Sequence, residues 1–160
     1  MTLVLGDKAK EIDLIIEGEE PISLEGFQGK NIVLYFYPKD DTPGCTVEAN
    51  DFKENFAEFE KLNAVIIGIS KDGLKSHEKF KNKYELPFIL ASDHEGKTCD
   101  NYGVWVEKNM YGRKYFGINR STFIIDGEGI LRKSWNKVSV KGHVLAVLDE
   151  VKKICREKII

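Results

Sequence analysis

The sequence predicts an α/β fold, a central mixed β-sheet flanked by helices. Three observations carry that prediction. Residues 31–37 and 64–69 are continuously apolar runs, as expected of strands covered on both faces. Segments with helical periodicity alternate with these runs, the pattern of helices laid on a sheet. A hairpin signal near the C-terminus adds antiparallel strands and makes the sheet mixed.

The elements follow in order. Residues 12–16, with a partner around Ile22, read as an N-terminal β-hairpin. Residues 47–62 carry Ala49, Phe52, Phe56 and Phe59 at core-facing helical spacing. Leu74–Tyr84 reads as a charged amphipathic helix halted before Pro87. Residues 88–91 form a short strand, 93–96 a turn and 97–102 a short helix. Residues 107–117 are glycine-containing and mixed, and read as a loop reaching toward the functional site. Residues 122–125, the turn 126–129 and residues 130–135 give the hairpin. Residues 140–158 close the chain as a helix with Val144, Leu148, Val151 and Cys155 on one face. No repeat, low-complexity tract or linker interrupts this order, so residues 1–160 read as one domain.

Composition excludes several classes. The chain has 24 basic and 26 acidic residues and a formal net charge of −2, with Lys and Glu interleaved. That is no footprint for nucleic acid or an anionic membrane. No apolar run approaches a membrane span. The first seven residues lack a signal-peptide layout, so a cytoplasmic location is expected. The three cysteines, Cys45, Cys99 and Cys155, lie far apart, which argues against a secreted disulfide scaffold. There is no Cys-x-x-Cys pair. His77, His94 and His143 are also scattered and read as exposed residues of helices and loops, so neither a metal nor a cofactor is expected.

The chemistry concentrates between Pro38 and Cys45. This stretch leaves a buried strand and enters a helix. Thr42 suits the N-cap, where its hydroxyl can accept a bond from an orphan N–H. Pro43 suits the first helical position, where its missing N–H costs nothing. Cys45 then falls in the first turn, where free N–H groups and the helix dipole favour a thiolate. An inert, half-buried helix-start cysteine is the bland alternative, but strand, cap and proline together favour the reactive one.

Pro-x-x-x-Thr-x-x-Cys after an apolar strand resembles the active-site signature of the peroxiredoxins, matched by Pro38, Thr42 and Cys45. The wider run Phe36-Tyr37-Pro38-Lys39-Asp40-Asp41-Thr42-Pro43-Gly44-Cys45-Thr46 is similar to the bacterioferritin comigratory protein, or peroxiredoxin Q, branch. Gly6-Asp7-Lys8-Ala9, Tyr102-Gly103-Val104-Trp105 and Arg120-Ser121-Thr122-Phe123-Ile124-Ile125-Asp126 extend the resemblance over nearly the whole chain. It implies a thioredoxin-like fold and a thiol-dependent peroxidase acting on hydrogen peroxide and organic hydroperoxides. Cys45 would be the peroxidatic nucleophile, oxidised to a sulfenic acid. Arg120 and Thr42 would bind the peroxide, Pro38 would shield the sulfur, and Gly44 and Glu48 would support the site. Glu48 is read either as orienting Arg120 or as a solvated first-turn carboxylate favoured by the helix dipole. Thioredoxin, glutaredoxin or a small thiol would serve as reductant, and the protein would be a monomer or homodimer.

One departure matters. Many members of this branch carry a resolving cysteine five residues after the peroxidatic one; here that position is Asn50. Others place it in the following helix, but Leu74–Tyr84 contains no cysteine. Cys155 continues an apolar stripe and reads as core. Cys99 reads as a small core residue, with a resolving role as the second reading. A one-cysteine mechanism with an external thiol is therefore the expectation. A non-catalytic thiol sensor is the competing class. A cysteine phosphatase is excluded, because residues 46–51 lack the arginine its phosphate loop requires.

Overall fold

The computed structural model describes residues 3–157. Lys158, the expected last residue of the closing helix, and the first two residues of the segment read for a targeting signal lie outside them.

The central strand explains the rest of the sheet. β3 (Asn31–Phe36) is buried at every residue. It pairs in parallel with β4 (Ala64–Ser70) and antiparallel with β8 (Ser121–Ile125). β4 continues in parallel to β5 (Ile89–Ser92). The N-terminal hairpin of β1 (Leu14–Ile16) and β2 (Glu20–Ile22) extends that edge, and β9 (Leu131–Trp135) extends the other beyond β8. The result is a seven-stranded sheet in the order β2-β1-β5-β4-β3-β8-β9; its mixed character and N-terminal hairpin are as the sequence predicts.

Alternation along β3 builds two cores. Val33, Tyr35 and Tyr37 join one cluster with Cys45, Phe52, Phe59, Phe80 and the apolar face of the last helix. Ile32, Leu34 and Phe36 join the other, with Cys99, Tyr102, Phe123 and Ile125. Gly68 on β4 is required here. A Cβ at that position would lie 2.7 Å from Cζ of Tyr35, whose ring stacks on Phe52 at 4.6 Å.

The helical segment of residues 47–62 is two helices, α1 (Pro43–Glu54) and α2 (Phe56–Lys61). Asn55 breaks the run: its backbone leaves helical geometry and its side chain donates back to the Asp51 carbonyl at 2.9 Å. α1 buries Cys45, Glu48, Ala49 and Phe52, a spacing that lays one stripe on the sheet. α3 (Leu74–Tyr84) matches its predicted bounds, α4 spans Lys97–Asn101, and the closing helix α5 runs His143–Glu157.

The expected loop at residues 107–117 is instead a hairpin, β6 (Trp105–Met110) with β7 (Arg113–Ile118), forming a separate two-stranded sheet. Its turn residues Tyr111 and Gly112 both take positive φ, 54° and 77°. That is the backbone of a tight hairpin turn matching strand twist. An exposed ribbon buries no alternating face, so its sequence lacks the apolar alternation that marks a strand.

Candidate active site

Sheet register brings the site together. Phe36 pairs with Ser121, so Arg120, one residue earlier on the neighbouring chain segment, stands level with the end of β3. From that end the chain turns through Pro38 and Asp40 into α1. Cys45 enters the first turn of α1 and is 2% exposed. Nη2 of Arg120 donates to its Sγ at 3.4 Å. Nη1 of the same guanidinium donates to Glu48 Oε1 at 2.7 Å. Glu48 lies one helical turn beyond Cys45, on the same face, and has no exposed side-chain surface. Of its two readings, the structure places it with Arg120 rather than in solvent.

The electrostatics of this chain are those of a buried acid facing a fixed cation. Burial raises the Glu48 carboxyl to about 7, and the Arg120 charge offsets part of that rise. Burial opposes the Arg120 charge, yet Glu48 and Cys45 together hold its pKa above the ordinary value. Glu48 Oε2 and Tyr35 Oη are buried with no hydrogen-bond partner among the described residues. Burial, with the Glu48 charge second, pushes the Tyr35 hydroxyl well above its usual range.

Gly44 has a steric role. A Cβ on it would stand 3.1 Å from Nη2 of Arg120. The missing side chain leaves room for the guanidinium beside the sulfur. Pro38 is exposed at the close of β3.

Thr42 departs from its expected duty. It occupies the N-cap position, and Pro43 follows at the helix start, but the Thr42 hydroxyl makes no capping bond. It donates instead to the Lys39 carbonyl at 2.8 Å. That local bond turns the hydroxyl toward the preceding turn and away from the α1 N–H groups, a known alternative for such residues. A lone pair of that oxygen therefore does not quench an α1 N–H, and the helix start keeps its donors.

The expectation of exposed histidines is corrected as well. His94 is exposed, but His77 and His143 are buried at 3% and 6%. His77 hydrogen-bonds Asp40 and the Ala91 carbonyl, and His143 meets Thr122 Oγ1 at 2.7 Å. Burial lowers the His143 imidazole to about 4, with Arg120 adding to the shift. Charged α3 and α5 sequences conceal that these positions face inward. Among the described residues no three metal-ligating side chains converge.

The other two cysteines are placed apart from Cys45. Cys99 is fully buried in the cluster on the opposite face of the sheet. Burial and the Asp93 carboxylate push its thiol far up, away from the thiolate form. Cys155 Sγ accepts from Asn31 Nδ2 at 3.5 Å, at the beginning of β3. Cys45 lies beyond the other end of that strand, about 20 Å away at the usual rise of ~3.3 Å per residue.

Two residues near the site carry no sequence motif. Tyr35 lies beneath Cys45 and Glu48, though a continuous apolar run does not say which face each member takes. Lys108, on β6, donates to the Ile118 carbonyl at 2.5 Å, and its pKa is lowered by partial burial and by Arg120. That hydrogen bond lies within the hairpin, between β6 and β7, and Lys108 meets the site only through the field of Arg120 and Cys45.

A model of the AhpC/TSA family matches residues 5–134. The chain belongs to that family. Peroxiredoxin Bcp of Bacillus subtilis is 49% identical over 152 residues, covering 95% of this chain and 97% of the relative. Peroxiredoxin Bcp of Escherichia coli is 37% identical over 150 residues, 94% and 96% of the two chains. The bacterioferritin comigratory protein of Xanthomonas campestris superposes with a TM-score of 0.87 at 40% identity, over 93% of this chain and 99% of that one. A peroxiredoxin Q structure from Xylella fastidiosa gives 0.89 at 35% identity, over 96% and 98%. The chain is a peroxiredoxin with the thioredoxin-like fold of that family, and its activity is that of a thiol-dependent peroxidase. Within the described residues no helix is long and apolar enough to cross a membrane.

Proposed function

We propose that Cys45 is the peroxidatic cysteine of a one-cysteine peroxidase, with Arg120, Thr42, Gly44, Glu48 and Pro38 composing its site. The carrying observation is the relay of contacts from Glu48 through Arg120 to the Cys45 sulfur. The thiolate attacks one peroxide oxygen. An S–O bond forms as the O–O bond breaks, giving Cys45 sulfenic acid and an alkoxide or hydroxide that takes a proton from solvent. Arg120 and the N–H groups at the start of α1 are preorganised donors for the charge that moves onto the leaving oxygen. The Thr42 hydroxyl has acceptor capacity left for the proton of a bound hydroperoxide. Pro38 covers the approach from solvent.

The oxidised sulfur returns to thiolate through an external thiol. One thiol displaces water from the sulfenic acid to form a mixed disulfide, and a second releases Cys45. The position of Cys99 across the sheet and its disfavoured thiolate support this reading over internal resolution. A thioredoxin or glutaredoxin fits as reductant. Organic hydroperoxides join hydrogen peroxide as substrates, in keeping with the alkyl peroxide reduction named for the Xanthomonas relative. Three free cysteines suit a reducing cytoplasm.

Mass spectrometry after one equivalent of peroxide, without reductant, tests the proposal. A sulfenic acid or an intermolecular adduct on Cys45 is expected, with turnover lost in Cys45→Ser. A Cys45–Cys99 disulfide would overturn the one-cysteine mechanism.

A further inference from the structure

The turn that delivers Cys45 to Arg120 is gripped from behind by a buried polar network. Asp40, 8% exposed, is its centre. Its Oδ1 accepts from the Tyr37 hydroxyl at 2.5 Å. Its Oδ2 accepts from Ser76 Oγ at 2.7 Å and meets Nδ1 of His77 at 2.7 Å. Nε2 of His77 donates to the Ala91 carbonyl on β5 at 2.9 Å. A carbonyl only accepts, so Nε2 holds a hydrogen, and one further proton lies between Nδ1 and the carboxylate. The backbone N–H of Asp40 donates to Asp72 Oδ2 at 2.8 Å, and Ser70 donates to that same oxygen. The next residue, Asp41, takes a positive φ of 55° and accepts from Lys83 and from the Tyr84 hydroxyl, both at 2.8 Å.

These contacts bind residues 37–41 to α3 and to the ends of β4 and β5. None of them reaches the sulfur. Burying an acid and an imidazole costs desolvation, and apolar side chains would stabilise the same seam at least as well. Hydrogen bonds supply what apolar packing does not, a single direction for each atom. The single direction matters here because the turn ends at Asp41, four residues before Cys45, and Arg120 is held by a different part of the sheet.

We propose that Asp40 and His77 are a positioning pair for the reaction at Cys45. They fix the turn so that the start of α1 presents Cys45 and Thr42 to Arg120 in the geometry the peroxide needs. The inference rests on Cys45 being the peroxidatic residue and adds two residues that act through the turn rather than on the substrate.

Two reactions of the same sulfur separate positioning from simple loss of structure. Oxidation by hydrogen peroxide needs the thiolate and the donors around it. Alkylation by iodoacetamide needs the thiolate and little else. Both rates are measured on Asp40→Asn and His77→Gln, well below each variant's melting temperature. The peroxide rate constant is expected to fall about tenfold to a hundredfold, the scale of a small misplacement of reacting groups, while alkylation holds near the wild-type rate. Tyr37→Phe and Ser76→Ala each remove one donor to Asp40, and should show smaller losses in the same direction even if the stronger variants fail to fold. An unchanged peroxide rate in folded variants overturns the proposal, and so does a parallel change in both rates. A wild-type protein inert to peroxide would instead sink the assignment of Cys45 itself.

Discussion

Gly44 and Arg120 are in steric register: the Cβ that Gly44 lacks would sit 3.1 Å from the guanidinium nitrogen that holds the Cys45 sulfur. Gly44→Ala therefore separates stability from activity. Alanine favours the helix by up to about 1 kcal/mol over glycine, so the melting temperature should hold or rise. The added methyl displaces Nη2, and kcat/KM for peroxide should fall about tenfold or more. A variant with wild-type kcat/KM would show that the guanidinium needs no such clearance.

Arg120→Lys tests the fork. One ammonium cannot serve Glu48 and Cys45 through two parallel donors as the guanidinium does. Losing a preorganised donor at the reacting oxygen lowers rates by about a hundredfold to a thousandfold. Stopped-flow oxidation of the reduced protein reads this directly, and alkylation of Cys45 reports whether the thiolate survives.

Glu48 couples the site to pH. Its unfolded carboxyl loses the proton near the ordinary value of 4.5, whereas the folded one keeps it to about 7. In that window the unfolded state sheds its proton first. Native stability thus declines as pH rises from 4.5 to 7, and the loss is complete above 7. A shift of this size corresponds to ~3 kcal/mol. Glu48→Gln removes the titration, so its unfolding free energy relative to wild type should improve by that order between pH 4.5 and 8 in urea titrations. Peroxide turnover should fall, because Arg120 loses its ionic anchor. A pH-independent difference between the two proteins would refute the assignment.

Cys99→Ala should leave peroxide turnover with an external thiol near wild type. It should cost stability on the order of 1 kcal/mol, as small losses from a packed core do. Loss of turnover with sulfenic acid still accumulating would give Cys99 the resolving role.

The sequence made the helix start legible because its chemistry is local. Proline at the first helical position and cysteine in the first turn sit within a few residues of one another, and the structure places them as read. The helix bounds of α3 were equally local, set by periodicity and a following proline. The partnership of Arg120 with Cys45 was not local. It arises from antiparallel register between β3 and β8, which no spacing encodes, and the family resemblance supplied it. The Thr42 hydroxyl is turned toward the Lys39 carbonyl rather than the helix, a side-chain orientation that propensity does not rank. Polarity hid the rest. His77 and Asp40 look solvated in a charged helix and a polar turn, and the β6–β7 ribbon exposes both faces and shows no apolar alternation.

The sheet also sets how this protein fails. Cys99 lies on the far face and Cys155 at the far end of β3, so under the proposed one-cysteine mechanism an oxidised Cys45 closes on no sulfur of its own chain. Under that proposal its sulfenic acid waits for a thiol from outside, and a second peroxide competes for it and drives it to the sulfinic acid. Survival of the catalyst is then a ratio of concentrations, reductant to peroxide, rather than a property of the fold. Such a protein acts as a scavenger while thiols are abundant and is itself consumed when they run out.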